Sequence, residues 1–355
     1  CRADLTCIIK NKYGKVEMST SFSSNHNFSK GFFYVADGTF NFYDTEKKTA
    51  YQDCYASLNA GKTLGIGNYD SANIIHSNGK FYLLVGTSTS NRDHFYIVDA
   101  KTLYYENSAV VGANLSGLTI LNEQYGLVTG DGIRRIDLKS LNNVRIKNER
   151  LLCFYNSIIY NGKVLSNDTY KDESKVKYYD VNELIAAKEG EAPAVTELDI
   201  IQKQKINFVL AKDGNVYTLE SADNGCNIVK IKNDFTLEKV FANFQPAKGP
   251  YHSSPTIGMV ASETENIIYL VSTDGAIYKY ILGDSDSLKA PFIAAESGVS
   301  ITAPLQLNQQ SGELYVTYTE ERKDESKIVV YSKDGKVLHT VDCGESVPSQ
   351  ILFNN

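Results

Sequence analysis

The stretch ANIIHSNGKFYLLVGTSTSNRDHFYIVDAKTLYYENSAVV, residues 72–111, decides the fold of this chain. It contains four short runs rich in Ile, Val, Phe and Tyr, the residue types that β-strands favour. An Asn-Gly pair between two apolar runs is the strongest short-range signal for a β-hairpin. The stretch therefore predicts a four-stranded antiparallel meander. Its runs and the first turn are Ala72–Ser77, Asn78-Gly79, Lys80–Val85, His94–Val98 and Tyr104–Val111.

The rest of the chain repeats this pattern. Asp-Gly pairs at 37–38 and 213–214 mark further tight turns. The strings KDESKVKYYD (171–180) and KDESKIVVYS (323–332) both lead into a third strand, which supports an internal duplication. Units of four strands repeating about every 40 residues are typical of a β-propeller. The seven repeats are 31–56, 72–111, 117–147, 157–200, 206–242, 254–296 and 302–343.

The two ends of the chain predict how the ring closes. The first repeat shows only three strands, whereas residues 349–353 form a strand without a partner of its own. We expect 349–353 to become the inner strand of the first blade beside 32–36, which leaves no open sheet edge. The prediction is an all-β fold: a single seven-bladed β-propeller of four-stranded antiparallel blades over residues 31–355, after a lead-in at 1–30.

Some parts of the repeats are less regular than the rest. The last strand of the first repeat is expected over residues 49–56, and that of the sixth repeat over 292–296. The inner strand of the seventh repeat is expected at 305–307. Residues 181–188 predict a short helix that stops before Gly190, since glycine commonly follows the last helical turn.

Composition narrows the functional classes. The 355 residues include 36 Lys or Arg and 42 Asp or Glu, for a net charge of −6, with no basic stripe of the kind that binds nucleic acid. No apolar run approaches the roughly 18 residues that a membrane span needs. The chain holds 7 Pro and no linker-like tract, which favours one domain, and we expect a monomer.

The first residue is Cys1, the residue that carries the acyl chains in a mature bacterial lipoprotein. We expect Cys1 to be lipidated, so that the protein is extracytoplasmic and meets a membrane only through its anchor. A fragment boundary that falls on a cysteine is the alternative. The other five cysteines have no metal or redox spacing and are expected to be small buried residues, with one pair, Cys7 and Cys54, left open.

Four segments carry a family resemblance: Cys1, GFFYVADGTFNFYD (31–44), FYIVDAKT (95–102) and GESVPSQILF (344–353). With them the chain resembles the YncE-like, YVTN-type seven-bladed propellers, and more closely their surface lipoprotein branch on Gram-negative outer membranes. The resemblance implies capture of a bulky nutrient ligand, a corrinoid first, for delivery to a TonB-dependent outer-membrane transporter. Related surface propellers capture ferric siderophores. The YVTN signature is absent from most repeats.

We predict a binding site on the face that carries the loops between blades and between second and third strands. There, Tyr mixes with amide and charged side chains, and Tyr combines an apolar body with a polar tip. The absence of Trp disfavours a glycan, which stays an alternative together with a ferric siderophore. The predicted binding residues are Asn68, Tyr69, Asp70, Arg92, Asn114, Tyr155, Asn156, Tyr170, Tyr251, His252 and Arg322.

The sequence offers no catalytic or metal signature, because the motifs of nucleophilic hydrolases, zinc proteases and phosphate-binding loops are missing. Of the five histidines, His76 and His339 fall within strands and are expected to be structural. We predict a binding protein without cofactor or metal; a propeller hydrolase, lyase or lactonase and an interaction scaffold are the alternatives. The Asp residues expected to serve turn geometry are Asp99, Asp131, Asp213, Asp274 and Asp334.

Overall fold

Seven small antiparallel sheets form a ring, so the protein is a seven-bladed β-propeller, as predicted. Each sheet is one blade, and its strands follow one another outward from the centre of the ring. The computed structural model describes residues 28–60, 64, 71–86, 93–112, 115, 117–130, 132–147, 157–167, 174–191, 193–202, 207–247, 258–320 and 325–354.

The elements follow in chain order. The strands of the first half are β1 (Gly31–Ala36), β2 (Thr39–Asp44), β3 (Thr49–Tyr51), β4 (Ser71–Ser77), β5 (Lys80–Gly86), β6 (Asp93–Asp99), β7 (Tyr105–Gly112), β8 (Gly117–Ile120), β9 (Tyr125–Thr129), β10 (Ile133–Asp137), β11 (Asn143–Lys147), β12 (Ile158–Tyr160), β13 (Lys163–Asn167), β14 (Ser174–Asp180) and β15 (Val195–Gln202). Those of the second half are β16 (Val209–Leu210), β17 (Val216–Ala222), β18 (Gly225–Ile231), β19 (Leu237–Phe244), β20 (Met259–Ala261), β21 (Ile267–Val271), β22 (Ile277–Ile281), β23 (Val299–Ile301), β24 (Gln306–Leu307), β25 (Leu314–Glu320), β26 (Glu325–Tyr331), β27 (Val337–Gly344) and β28 (Pro348–Leu352). The helices are α1 (Cys54–Leu58) and α2 (Val181–Ala186), with 3₁₀ turns at Phe28–Lys30 and Ser285–Leu288.

The C-terminal strand closes the ring as predicted. Blade one has the strand order β28-β1-β2-β3, so its inner strand comes from the far end of the chain. In the register, Phe33 is opposite Leu352, Tyr34 opposite Ile351 and Val35 opposite Gln350. The two ends of the described chain thereby meet in one sheet.

The hydrophobic core consists of seven clusters, one at each junction between neighbouring blades. Successive side chains of a strand point to opposite faces, and both faces of a blade are covered. In β1, Phe33 and Val35 pack towards blade two, whereas Phe32 and Tyr34 pack towards blade seven. The Phe32 ring lies 5.0 Å from that of Tyr315, which makes the junction of blades seven and one as apolar as the others.

Blade one departs from the prediction at its outer strand. The strand expected over 49–56 is limited to β3, and α1 follows it. The cause is Asp53, whose backbone is left-handed (φ 42°) and whose Oδ1 accepts the N–H of Ala56, capping the helix. Asn41 holds this turn from β2, because its Oδ1 accepts the N–H of Asp53 at 2.9 Å.

Blades six and seven also differ from the prediction. The strand expected over 292–296 is replaced by a single bridge between Ile293 and Ile277, so blade six has three strands. Asp284 starts a 3₁₀ turn after β22, and Pro291 lacks the N–H that a paired strand would donate. In blade seven the inner strand begins earlier than 305–307, because β23 pairs with β25 ahead of β24.

The helix predicted over 181–188 is present as α2. Asp180 caps it by accepting the N–H groups of Asn182 and Glu183, and Gly190 follows with φ 78°. Neither helix in the described part of the chain has the length and apolar character needed to cross a membrane. The lead-in before Phe28 lies outside the described residues.

Candidate functional site

The two faces of the ring are built differently. Neighbouring strands of a blade run antiparallel, so first-to-second and third-to-fourth strand turns lie on one face, here called the turn face. It includes the turns 78–79, 161–162, 211–215, 232–236 and 332–336. The strand ends joined by second-to-third and blade-to-blade segments lie on the other, the connection face. Those segments include 87–92, 113–116, 148–157, 168–173, 203–208, 245–258 and 321–324.

Aspartates close the turn face by local hydrogen bonds. In blades one to four, one Asp ends the third strand, and its Oδ1 accepts two backbone N–H groups of the following turn. A hydrogen bond from the Ser140 N–H lowers the pKa of Asp137, and one from Lys163 lowers that of Asp180. These carboxylates hold the backbone of the residues that follow the third strand. The four are Asp44, Asp99, Asp137 and Asp180.

The other turn aspartates have similar tasks. Asp213 accepts the N–H of Asn215, and Asp274 accepts that of Ala276, so both hold turn backbone as predicted. In the turn of Asp334, the Oγ of Ser332 accepts the backbone N–H instead. Asp131 lies outside the described residues.

All predicted binding residues, and Cys1, lie outside the described residues. Each of the eleven falls in a segment whose flanking described strand ends belong to the connection face. The positions are Asn68, Tyr69 and Asp70 before β4, Arg92 before β6, Asn114 before β8, Tyr155 and Asn156 before β12, Tyr170 before β14, Tyr251 and His252 before β20, and Arg322 before β26.

A buried amide network supports the connection face under blades four to six. Asn167, at the end of β13, donates from Nδ2 to Oε1 of Gln202 at 2.6 Å. Gln202 donates from Nε2 to Oγ1 of Thr218 at 2.9 Å and to the carbonyl oxygen of Leu219 at 3.0 Å. Gln202 is 1% exposed and Thr218 is fully buried. A fully paired buried network of this kind holds its members in one arrangement.

Asn207 extends the amide network into the next blade. Thr218 donates from Oγ1 to the carbonyl oxygen of Asn207 at 3.1 Å. The Asn207 side chain then pairs with the backbone of Met259 in both directions, at 2.6 and 3.0 Å. A Cβ at Gly258 (φ 74°) would lie 2.7 Å from Oδ1 of Asn207, so this close approach requires glycine. Three blades are thus connected near their described strand ends on the connection face.

Amides also join the inner strands elsewhere in the ring. Gln350 of β28 donates to the carbonyl oxygen of Ile74 in β4 at 2.7 Å. Gln309 donates to the carbonyl oxygen of Ala261 at 3.0 Å and accepts the N–H of Glu263. These bonds are not predicted from the sequence, because the partners lie in other blades. The sequence signal is a single Gln in or next to an inner strand, namely Gln350 in β28 and Gln309 after β24.

The described histidines do not form a reactive site. His76 packs on Phe81 with ring centroids 5.1 Å apart, and burial lowers the pKa of its imidazole. His94 stacks on Tyr96. His26 and His252 lie outside the described residues. Among the described residues, no three His, Cys, Asp or Glu side chains come together as metal ligands would.

The described cysteines are packing residues. Cys54 is fully buried in α1, its Sγ donates to the carbonyl oxygen of Tyr51, and burial raises the pKa of its thiol. Burial also raises the pKa of Cys343 to about 12. Since the thiolate is the reactive form, these thiols are inert at neutral pH. Cys226 is likewise buried, and Cys7 lies outside the described residues.

Many of the 24 tyrosines belong to the core. Tyr217, Tyr315 and Tyr318 are buried between blades, and burial raises the pKa of each. The hydroxyls of Tyr318 and Tyr331 bond each other at 3.1 Å. A high tyrosine count in this chain is therefore a property of the blade junctions and does not by itself indicate a ligand site.

The fold defines a seven-bladed β-propeller whose described strand ends before the blade-to-blade segments lie on one face. Residues 28–354 match the model of the family described as "Domain of unknown function (DUF5074)", and the chain belongs to that family. No curated protein matches the chain.

Solved structures show the same fold in distant proteins. A functionally unknown protein from Desulfotomaculum acetoxidans DSM 771 has a TM-score of 0.57 and 13% identity, with 92% of this chain and 99% of that chain covered. Hsv2 of Kluyveromyces lactis has a TM-score of 0.50 and 11% identity, over 92% and 97% of the chains. A puromycin hydrolase has a TM-score of 0.54 and 12% identity, over 90% and 52%. At these identities the likeness is one of fold alone.

Proposed function

We propose that this protein is a non-enzymatic binding protein that captures a bulky nutrient ligand, a corrinoid first, at its connection face. It passes the ligand to a TonB-dependent transporter of the outer membrane. The observation that carries the proposal is the contrast between the faces. Outside blades four and six, the turn face is closed by short turns, and Asp44, Asp99 and Asp137 hold the backbone of three of them, whereas the longer joining segments run from strand ends on the connection face.

The amide network favours this face as a binding platform. Binding residues need a rigid frame, because side chains that are already held lose little entropy when a ligand arrives. Asn167, Gln202 and Asn207 supply such a frame under three neighbouring blades. The predicted Tyr, Asn and Arg residues would present apolar surface together with amide and cationic groups, which suits a ligand of mixed character.

The path of the chain into blade one suits a lipid anchor at Cys1. Phe28 packs on Phe33 and Phe42, and the carbonyl oxygen of Lys30 accepts the N–H of Thr45 in the turn after β2. This turn belongs to the turn face, so the N-terminal segment joins the propeller opposite the connection face. An anchored monomer at the outer membrane surface would then keep the connection face free for the ligand and the transporter.

A thermal-shift screen tests the ligand class. Cobalamins, ferric siderophores and neutral oligosaccharides are each added to the purified chain, and the melting temperature is recorded. We expect the cobalamins to raise it most, because a ligand that binds only the folded state stabilises that state. No shift with any of the three classes, or turnover of any of them, would defeat the proposal.

A further inference from the structure

The turn face of blade five holds a shallow cavity of about 430 Å³. It lies between the start of β17 and the turn 232–236, away from the connection face. This volume falls within the roughly 300–1,000 Å³ that is usual for small-molecule sites. The residues that line it all carry polar or charged groups: Asn215, Lys230, Lys232, Asn233 and Asp234.

Neighbouring groups hold Asn233 and Asp234 in place. The hydroxyl of Tyr160, which is 5% exposed, donates to Oδ1 of Asn233 at 2.7 Å, so the amide Nδ2 is left as a donor. Asn161 of blade four donates to the carbonyl oxygen of Asn233 at 2.8 Å. Oδ1 of Asp234 accepts from the N–H and hydroxyl of Thr236, which leaves Oδ2 as an acceptor.

Both lysines of the cavity already have carboxylate partners. Lys230 lies 2.9 Å from Oδ2 of Asp213, and Lys232 lies 2.9 Å from Oε2 of Glu238. Burial alone would raise the pKa of Asp213, but hydrogen bonds from Lys230 and others lower it, so this carboxyl is ionised at neutral pH. An anionic ligand would have to displace these carboxylates from the two lysines.

We propose that this cavity binds a neutral polyhydroxylated ligand of the size of a mono- or disaccharide. Each hydroxyl of such a ligand both donates and accepts, which matches the alternation of ammonium and amide donors with the free Asp234 oxygen. The methylene stems of Lys230 and Lys232 provide apolar surface for the C–H faces of a sugar ring. The site lies on the opposite face from the proposed capture site and does not depend on it.

Ligand-observed NMR and calorimetry test the site with glucose, galactose, mannose, N-acetylglucosamine, maltose and lactose as probes, and with glucose 6-phosphate and inorganic phosphate as comparators. We expect saturable binding of at least one neutral sugar. Asn233→Leu and Lys232→Ala should each weaken that binding at least tenfold. Two control variants should leave sugar binding unchanged. Asp334→Ala changes the residue of the blade-seven turn that corresponds to Asp234, and Tyr69→Ala changes a predicted residue of the capture site.

Melting temperatures of the variants confirm that each is folded, and Lys232→Ala decides the test if Asn233→Leu does not fold. The proposal is overturned if no neutral sugar binds saturably, or if either phosphate compound binds more tightly than every neutral sugar. It is also overturned if sugar binding survives in both variants. Loss of sugar binding in Tyr69→Ala but not in Asn233→Leu would place the sugar at the connection face and would equally reject it.

Discussion

The Nε2 amide of Gln350 donates to the main-chain oxygen of Ile74 at 2.7 Å, across a separation of 276 residues. Gln350 belongs to the last strand of the chain, and Ile74 to the inner strand of blade two. Asn354 adds a second bond at the same junction, from its Nδ2 to the carbonyl oxygen of Ala100. The end of the chain therefore completes blade one and also fixes its neighbour.

Removing residues 344–355 should abolish cooperative folding. The deletion takes away β28 with the buried side chains of Ile351 and Leu352 and leaves β1 as an open sheet edge. A domain is stable by only about 5–15 kcal/mol, less than the loss of a whole inner strand. Circular dichroism during heating checks this, with Gln350→Ala as a milder variant that should cost about 0.5–1.5 kcal/mol. An unchanged melting temperature after truncation would rule out this role of the C-terminal strand.

The substitution Asn207→Leu should lower the free energy of unfolding by about 2–4 kcal/mol, because it leaves both backbone groups of buried Met259 without partners. Urea denaturation measures the change. Asn142→Leu, at an exposed turn position, is the control and should stay within about 0.5 kcal/mol of the wild type. Equal losses in the two variants would show that the amide network does not stabilise the ring.

Acid should destabilise the protein through its turn aspartates. In the folded state, hydrogen bonds from Ser140, Lys163 and Ser272 lower the pKa values of Asp137, Asp180 and Asp274, respectively, from their usual value. A lowered folded pKa contributes stability that is present above the unfolded pKa and is lost as the pH falls through the folded one. The melting temperature should thus be steady near neutral pH and fall below about pH 4. Asp137→Asn should flatten part of this fall, whereas a melting temperature that stays constant to about pH 2 would contradict the assignment.

Lipidation of Cys1 predicts that the mature protein partitions with membranes. In a Gram-negative host, expression behind a lipoprotein signal sequence should give a membrane-bound protein that incorporates a labelled fatty acid. The Cys1→Ala variant should be found in the soluble fraction without label, because acyl chains are then its only attachment. A wild-type chain whose mass shows an unmodified Cys1 would count against the anchor.

Most of the architecture is predictable because its causes are local. Alternating apolar runs and Asn-Gly or Asp-Gly turns mark the blades, and a missing first strand paired with a spare last one indicates the closure. The short β3 is not predictable, because α1 depends on the contact of Asn41 with Asp53 across the blade. Blade six lacks its fourth strand because Asp284 caps a 3₁₀ turn after β22. The strand propensity of residues 292–296 alone does not indicate this.

The candidate site is less predictable than the fold. Asn207 and Gln202 are single polar residues whose partners lie in other blades, so no pattern along the chain indicates their pairing. The cavity at Asn233 arises where turns of blades four and five meet, and it depends on Tyr160 reaching across the junction. Such contacts are set by the ring, not by any one repeat.

Calorimetric titration of the purified chain with a cobalamin tests the central claim most directly. We expect saturable binding that Tyr69→Ala, Arg92→Ala or Tyr251→Ala each weakens at least tenfold, a loss of about 1.4 kcal/mol or more. Tyr104→Ala is the matched control, because Tyr104 is 43% exposed in a turn of the opposite face, and it should leave the affinity unchanged. Absence of binding, or a loss in Tyr104→Ala equal to that in the three connection-face variants, would contradict capture of the ligand at the connection face.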